Sequence, residues 1–204
     1  MSSIAKQDLG VVLVSGGAGW LGSHLVEALL RLGEQCKHIH SLDVVPLKRS
    51  TTSSNNNNNN NSRVTSHVVD LRDSGAIKKL IHQIKPKVIF HLASVVDVRP
   101  IKTQAVMDIN VGGTANLLLA ATGCSSTEAF VYCSSLDVVY TGRPMDYVSE
   151  SHPYTKAKDF RWWVPGNYYC VSKARAEEMV LSASGCSDGN RWSPESTRQA
   201  SRLN

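Results

Sequence analysis

Short apolar runs alternate with amphipathic segments along most of the 204 residues of the chain. The run from Val11 to Val14 is fully apolar and ends just before a glycine pair, which is typical of a buried strand in a parallel sheet. From Trp20 to Leu32 the apolar residues recur at helical spacing, and Gly33 closes the segment. We therefore predict a strand and then a helix whose apolar stripe consists of Leu21, Leu25, Ala28, Leu29 and Leu32.

The same alternation continues to residue 182. Further strands are predicted over 38–45, 64–69, 88–92 and 130–133, and further helices over 74–84, 105–122 and 168–181. The residues of the last helix that are predicted to face inward are Val171, Ala174, Met179 and Val180. Strands that alternate with helices indicate an α/β fold with a doubly wound parallel sheet, here in a domain of residues 8–182.

Two segments do not follow this pattern. Residues 47–62 include seven consecutive asparagines and have almost no apolar side chains to bury, so we predict a disordered surface loop. An asparagine tract with a function of its own is the alternative. Residues 183–204 have almost no aliphatic residues and no periodicity, and we predict a disordered tail there.

Composition narrows the class of protein. Hydrophobic residues make up 42% of the chain, which is enough for a buried core. The net charge of +5 is spread without a Lys/Arg block, which argues against a nucleic-acid partner. The five cysteines have neither CxxC nor Cys/His ligand spacing, so we expect reduced cysteines, no metal site and a cytoplasmic protein. We also expect no signal peptide and no membrane span, because no apolar run approaches about 18 residues.

Three glycines separate the first predicted strand from the first predicted helix. Gly16, Gly19 and Gly22 have the spacing G-x-x-G-x-x-G, and Trp20 and Leu21 lie inside it. Such a turn directs backbone N–H groups and the positive end of the helix dipole at one point, which a pyrophosphate can approach where no Cβ is in the way. We therefore predict a dinucleotide-binding turn, with a plain tight turn as the alternative.

A carboxylate follows at the distance expected for the adenosine ribose. Asp43 lies 21 residues after Gly22, at the end of the second predicted strand. There it would accept hydrogen bonds from both ribose hydroxyls and repel the additional phosphate of NADP. We therefore expect NAD as the cofactor, while Lys48 and Arg49 keep NADP as the less favoured alternative. A turn residue at the strand end is the alternative without a cofactor.

A phenol and an ammonium lie one helical turn apart near the end of the predicted domain. Tyr169 and Lys173 have the i, i+4 spacing that places two side chains on one helix face. A free phenol has a pKa of about 10, and a neighbouring ammonium favours the phenolate, so the pair can take a proton from a substrate. Tyr168 lacks this offset to the lysine.

In this order along the chain, these segments resemble the extended short-chain dehydrogenases/reductases. The resemblance includes Ser134-Ser135, at the end of the fifth predicted strand. It implies a Rossmann fold in which the hydroxyl of Ser135, rather than Ser134, hydrogen-bonds the substrate oxygen. It further implies that Tyr169 takes the proton and that Lys173 reaches the hydroxyls of the nicotinamide ribose.

Three further segments resemble motifs of this family. Asp70-Leu71 resembles its adenine-contacting pair. His91-Leu92-Ala93-Ser94 resembles a motif on the fourth strand in which His91 and Ala93 line the cofactor, and a packed strand histidine is the alternative for His91. The run that begins at Asn110 resembles one in which the first asparagine braces the site.

Three longer stretches, residues 134–142, 150–154 and 169–177, resemble the 3β-hydroxysteroid dehydrogenase branch, which includes sterol-4α-carboxylate 3-dehydrogenases. This implies an NAD-dependent oxidoreductase of steroid or sterol biosynthesis that oxidises a 3β-hydroxyl of a small-molecule substrate to a ketone. A homodimer and association with the endoplasmic reticulum surface stay open. The alternatives are a nucleotide-sugar epimerase or dehydratase of the same superfamily and a non-catalytic NAD(P)-binding protein.

The sequence after the last predicted helix departs from the family. Members continue with a sixth strand, typically Leu-Arg-Pro and a Tyr-Gly turn, and then with a substrate lobe, and residues 183–204 match neither pattern. We therefore expect an incomplete Rossmann fold with little or no dehydrogenase activity in this chain. Trp162-Trp163, before the last helix, is predicted either to touch an apolar substrate or to be an exposed pair.

Overall fold

Five strands form the sheet of this chain, for which a computed structural model describes residues 8–48, 63–96, 103–140, 142, 144–149, 151–156 and 167–184. The strands are β1 (Gly10–Ser15), β2 (Cys36–Asp43), β3 (Val64–Val68), β4 (Val88–His91) and β5 (Ala129–Tyr132). Their order is β3-β2-β1-β4-β5, and β1 pairs in parallel with β2 and β4, as β2 does with β3. The predicted parallel α/β fold is confirmed.

The helices are α1 (Trp20–Arg31), α2 (Ser74–Ile84), α3 (Thr103–Met107), α4 (Thr114–Thr122) and α5 (Asn167–Ser184). The four residues of α5 predicted to face inward are all buried. Among the described residues, no helix combines the length and the apolar character needed to cross a membrane. Leu47, at the start of the predicted loop, packs against the core. The disordered tail predicted over residues 183–204 begins too early, because Ala183 and Ser184 belong to α5 and Ala183 is buried. The predictions for residues 49–62, for Trp162-Trp163 and for residues 185–204 fall outside the described residues.

The chain divides into two compact units, of which the first consists of Met1–Asp70, Gly75–Ala93 and Cys124–Val131. Its core joins residues of β1, β2 and β4 to one face of α1, namely Val12, Val14, Val26, Leu29, Cys36, Ile39 and Val88. Because β1 lies between β2 and β4 and is apolar on both faces, it forms the centre of this unit.

The buried face of α1 differs from the predicted stripe. Gly22, Val26 and Leu29 are buried, whereas Leu21 and Leu32 are exposed. The first turn of α1 lies directly on the glycine turn, and a Cβ at position 22 would overlap the carbonyl oxygen of Gly16. The inward position therefore has to be a glycine, and the prediction missed it because glycine is not counted as an apolar residue.

The second unit consists of Leu71–Ser74, Ser94–Gly123 and Tyr132–Asn204. The helix predicted over residues 105–122 is continuous there from Thr103 to Thr122, and Asp108–Gly113 forms a π-helical turn within it, between α3 and α4. A Cβ at Gly113 would lie 2.8 Å from the Cβ of Leu71, so the glycine allows close packing at this turn. The predicted helix is therefore present, and only its π-helical turn was missed, since such turns leave no trace in apolar periodicity.

Candidate active site

The glycine turn connects β1 to α1 in a conformation that only glycines can adopt. Gly16 has a φ of +73°, and a Cβ there would lie 2.6 Å from the backbone nitrogen of Ala93. A Cβ at Gly22 would overlap the carbonyl oxygen of Gly16. Gly16, Gly22 and Ala93, which the sequence selected as cofactor-binding candidates, therefore lie close together in the structure. Gly19 is the N-cap of α1.

The start of α1 is open to an anion. No side chain among the described residues caps the helix at Gly19, so the first backbone N–H groups keep their capacity to donate. Trp20 and Leu21 are 79% and 48% exposed beside these groups. The turn thus offers backbone without Cβ atoms at Gly16, Gly19 and Gly22 together with a helix N-terminus, and these features fit a dinucleotide pyrophosphate.

Asp43 has a second role that its position in the sequence did not reveal. Its Oδ2 accepts a hydrogen bond of 3.1 Å from the backbone N–H of Ala18, and its Oδ1 accepts one of 2.7 Å from Val44 N–H. The carboxylate therefore anchors the glycine turn to the end of β2. Each carboxylate oxygen can accept more than one hydrogen bond, so ribose hydroxyls remain acceptable partners.

His91 is packed in the interior of the first unit. It is 1% exposed, its Nδ1 is hydrogen-bonded to Ser15 Oγ at 2.5 Å, and the ring lies edge-on to Phe130. Of the two alternatives left by the sequence, this geometry favours the packed strand histidine, because the ring joins β1 to β4 where the glycine turn begins.

Asp70 and Leu71 fall in different units of the chain. Asp70 is half-buried, and Leu71 is buried. The carbonyl oxygen of Leu71 accepts a 2.8 Å hydrogen bond from the Asn116 side chain, and the Leu71 side chain fills the space at Gly113. These contacts give Leu71 a packing role, and contact of the pair with an adenine stays a prediction.

Asn110 lies in the π-turn with its carboxamide fully hydrogen-bonded and 2% exposed. Its Oδ1 accepts from Val95 N–H at 2.8 Å and from Ser94 Oγ at 3.3 Å. Its Nδ2 donates to the Val95 carbonyl oxygen at 3.0 Å and to Ser172 Oγ at 2.9 Å. The asparagine therefore ties α5, one residue before Lys173, to the segment at 94–95, and its role in bracing an active site stays a prediction.

Lys173 is buried, and its ammonium contacts the end of β5. Nζ donates to the carbonyl oxygen of Cys133 at 2.5 Å and lies 4.2 Å from the centre of the Tyr132 ring. Burial lowers the pKa of Lys173 to about 8. These are the contacts that the structure shows for Nζ, and an effect of the ammonium on the phenol of Tyr169 stays a prediction.

Tyr169 and Ser135 are neighbours at the start of α5. Burial raises the pKa of the half-buried Tyr169 phenol, and a hydrogen bond from the Ser135 side chain opposes part of that increase. Ser135 Oγ donates to Asp137 Oδ2 and accepts from the backbone N–H of Asp137, each at 3.2 Å, at the start of the short 3₁₀ helix Leu136–Val139. With its pKa raised, this phenol releases its proton less readily than a free tyrosine does.

Glu177 is a residue of this region that sequence reasoning did not select. One of its carboxylate oxygens accepts from the Ser134 hydroxyl, and the other accepts from the Tyr154 hydroxyl at 2.9 Å. The two adjacent serines are thereby distinguished, with Ser134 directed to Glu177 and Ser135 to Tyr169. The available signal was the position of Glu177 four residues after Lys173, on the same helix face.

Comparison with protein families settles where the chain belongs. The sequence profile described as the 3-beta hydroxysteroid dehydrogenase/isomerase family matches residues 13–193, which contain both the glycine turn and the Tyr169–Lys173 pair. The chain belongs to this family. The predicted resemblance to the 3β-hydroxysteroid dehydrogenase branch is confirmed.

Two curated relatives in this family are decarboxylating sterol-4-alpha-carboxylate 3-dehydrogenases. The protein from Candida albicans is 32% identical over 180 residues, which are 87% of this chain and 47% of the relative. The protein from Schizosaccharomyces pombe is 29% identical over 168 residues, which are 82% of this chain and 44% of the relative. The chain thus spans just under half the length of these two relatives.

Solved structures agree with the fold. The UDP-glucose 4-epimerase of Thermus thermophilus, in complex with NAD, is 28% identical and superposes with a TM-score of 0.63. The similarity covers 85% of this chain and 51% of the epimerase chain. The Rossmann fold is therefore common to this chain and to this epimerase.

Proposed function

We propose that this chain is an NAD-dependent oxidoreductase that oxidises the 3β-hydroxyl of a steroid or sterol to a ketone. The observation that carries the proposal is the family match over residues 13–193. Ser135, Tyr169 and Lys173 lie within that match and within one compact unit. The names of the curated relatives support a sterol, and a 4-carboxylated sterol would give a β-keto acid that readily loses carbon dioxide.

The glycine turn and Asp43 support NAD as the cofactor. Backbone N–H groups at the start of α1 would hold the pyrophosphate, since Gly16, Gly19 and Gly22 leave the backbone accessible there. Asp43 would accept hydrogen bonds from the adenosine ribose and disfavour the 2′-phosphate of NADP. Bound NAD supplies the acceptor for the hydride that leaves the sterol carbon.

The residues of the second unit would manage the proton of the same reaction. Tyr169 takes the proton of the substrate hydroxyl at its phenol oxygen, and the Ser135 hydroxyl holds the substrate oxygen beside it. A free phenol is already protonated at neutral pH and burial raises the pKa of Tyr169 further, so the ammonium of Lys173 would act by favouring the phenolate. Asn110 holds α5, and with it Tyr169 and Lys173, through Ser172.

The proposal is tested with residues 1–204 in excess over substrate, so that even one slow turnover is detected. NAD binding is measured by calorimetry, and products are identified by mass spectrometry after incubation with NAD and a 3β-hydroxysterol. The expected result is a 3-ketone that forms with NADH and does not form with Tyr169→Phe. A ketone in equal amounts with Tyr169→Phe would contradict the assignment of the base.

A nucleotide-sugar epimerase is the second candidate, and the similarity to the NAD-containing UDP-glucose 4-epimerase favours it. The same incubation with UDP-glucose distinguishes the two candidates, because the epimerase would form UDP-galactose and leave the sterol unchanged. NAD binding without conversion of either substrate would instead indicate a non-catalytic NAD-binding protein.

A further inference from the structure

We propose that Glu177 is a positioning residue whose carboxylate holds Ser134 and Tyr154 and so sets the hydroxyl of Ser135 against Tyr169. The inference concerns the arrangement of the second unit, and its importance for catalysis rests on the proposed function. Glu177 itself contacts neither Tyr169 nor Ser135 through a hydrogen bond among those described, so its effect is transmitted through its two partners.

Three separate segments of the second unit meet at this carboxylate. Ser134 follows β5, Tyr154 belongs to the segment 151–156, and Glu177 lies in the middle of α5. Each carboxylate oxygen accepts from one of the two hydroxyls. A carboxylate is suited to this task because both of its oxygens are acceptors, whereas an amide has only one.

The segment with Tyr154 is also attached to the short helix that Ser135 begins. The backbone N–H of Thr155 donates to the carbonyl oxygen of Val138 at 2.7 Å. The Thr155 hydroxyl donates to the carbonyl oxygen of Tyr140 at 2.5 Å. Thr155 is itself buried. The 3₁₀ helix after Ser135 is therefore connected to α5 twice, once through Ser134 and once through Thr155 and Tyr154.

The backbone at Ser135 explains how the position of Ser134 affects its neighbour. Ser135 is extended, with a φ of −148° and a ψ of 150°, and successive side chains of an extended backbone point in opposite directions. When Glu177 holds the Ser134 hydroxyl, the Ser135 hydroxyl is left on the side of Asp137 and Tyr169. Loss of the first contact would free the backbone between the two serines to rotate.

In addition to its hydrogen bonds, Glu177 affects Lys173 through its negative charge. The carboxylate lies one helical turn after Lys173 and opposes the decrease that burial causes in the pKa of that lysine. It therefore helps to keep the ammonium charged. Burial, and then the hydrogen bond to Glu177, raises the pKa of Tyr154 to about 12, which provides an internal probe of the contact.

The experiment is a pH titration of the six tyrosines, resolved by NMR on protein with ¹³C-labelled tyrosine rings and assigned with Tyr154→Phe and Tyr169→Phe. In Glu177→Gln we expect the midpoint of Tyr154 to fall, because the amide is a weaker acceptor. We expect the titration midpoint of Tyr169 to rise by about 0.4–1 pH unit, because one hydrogen bond to its phenol oxygen is lost. Glu178→Gln, which removes the same charge one residue later, should leave the midpoint of Tyr169 unchanged.

Ser134→Ala gives an independent test if Glu177→Gln does not fold. It removes one of the two contacts and should also raise the midpoint of Tyr169. The proposal would be overturned if the midpoint of Tyr169 were unchanged in either folded variant while the midpoint of Tyr154 fell in Glu177→Gln. Glu177 would then hold Tyr154 without affecting Tyr169. Because the titration uses neither NAD nor a sterol, its outcome is separate from that of the proposed function.

Discussion

The buried ammonium of Lys173 donates a 2.5 Å hydrogen bond to the carbonyl oxygen of Cys133, directly after β5. A charged group in the interior loses its hydration, and a backbone carbonyl and the face of the Tyr132 ring replace only part of it. The pKa of the lysine is accordingly lowered from 10.5 to about 8. Lys173, on α5, therefore changes its charge at a pH close to the physiological range.

The first prediction is a pH dependence of stability that comes from Lys173. Between pH 8 and 10.5 the unfolded chain binds a proton that the folded protein has released, so stability rises with pH in that window. From pH 7 to pH 9 we expect a gain of roughly 1 kcal/mol, measured by chemical denaturation. Above pH 9 the gain levels off, because buried Cys170, with a pKa raised to about 11, keeps its proton longer than the unfolded thiol does and so opposes the contribution of Lys173.

Lys173→Met is the control for this prediction, because it retains the length of the side chain and removes the charge. The increase in stability between pH 7 and pH 9 should be absent in this variant. A slope equal to that of the unmodified protein would place the titrating group elsewhere.

The second prediction concerns Asp43 and the choice of cofactor. The unmodified chain should bind NAD more tightly than NADP, and Asp43→Ala should weaken NAD binding by about 1–3 kcal/mol as hydrogen bonds to a charged acceptor are lost. Asp43→Asn keeps an acceptor for the Ala18 N–H but removes the charge, so it should lose preference for NAD with less damage to the turn. Equal affinities of the unmodified chain for NAD and NADP would refute the assignment.

The third prediction compares two glycines that have different surroundings. Gly22→Ala should abolish NAD binding and destabilise the protein, because the new Cβ would overlap the carbonyl oxygen of Gly16. Gly112→Ala is the matched change, since nothing lies within 4 Å of a Cβ there. It should leave NAD binding intact and alter stability by less than about 1 kcal/mol. Calorimetry measures the NAD affinity, and thermal unfolding measures the stability. Normal NAD affinity of Gly22→Ala would contradict the proposal that the glycine turn binds the pyrophosphate.

The fourth prediction separates proton transfer from cofactor binding. Tyr169→Phe should abolish formation of the 3-ketone and leave NAD affinity nearly unchanged, because only the proton acceptor is removed. Tyr168→Phe, one residue earlier and partly exposed, should retain product formation. Lys173→Ala should impair both properties, since the lysine is proposed to favour the phenolate and to hold the ribose. NAD binding and single-turnover product analysis are the measurements.

Local patterns in the sequence were sufficient for most of the secondary structure. The prediction of α2 over residues 74–84 agrees with the structure at both ends, because its apolar residues repeat at helical spacing and Pro86 follows. The helix predicted over 105–122 is present, but the sequence did not predict its π-helical turn at Asp108–Gly113. There the backbone follows the hydrogen bonds of the Asn110 side chain and the close contact of Gly113 with Leu71, and both involve residues far away in the chain.

By itself, the sequence determined the parallel α/β fold, the glycine turn and the identity of the Tyr169–Lys173 pair, since each depends on spacing within a short segment. Only the tertiary structure decided what these groups touch: Asp43 anchors Ala18, Lys173 donates to Cys133, and Ser134 is bound by Glu177. The physical reason is that burial and hydrogen bonding join residues up to tens of positions apart. Their free energies depend on distances and desolvation, which no local pattern of residues contains.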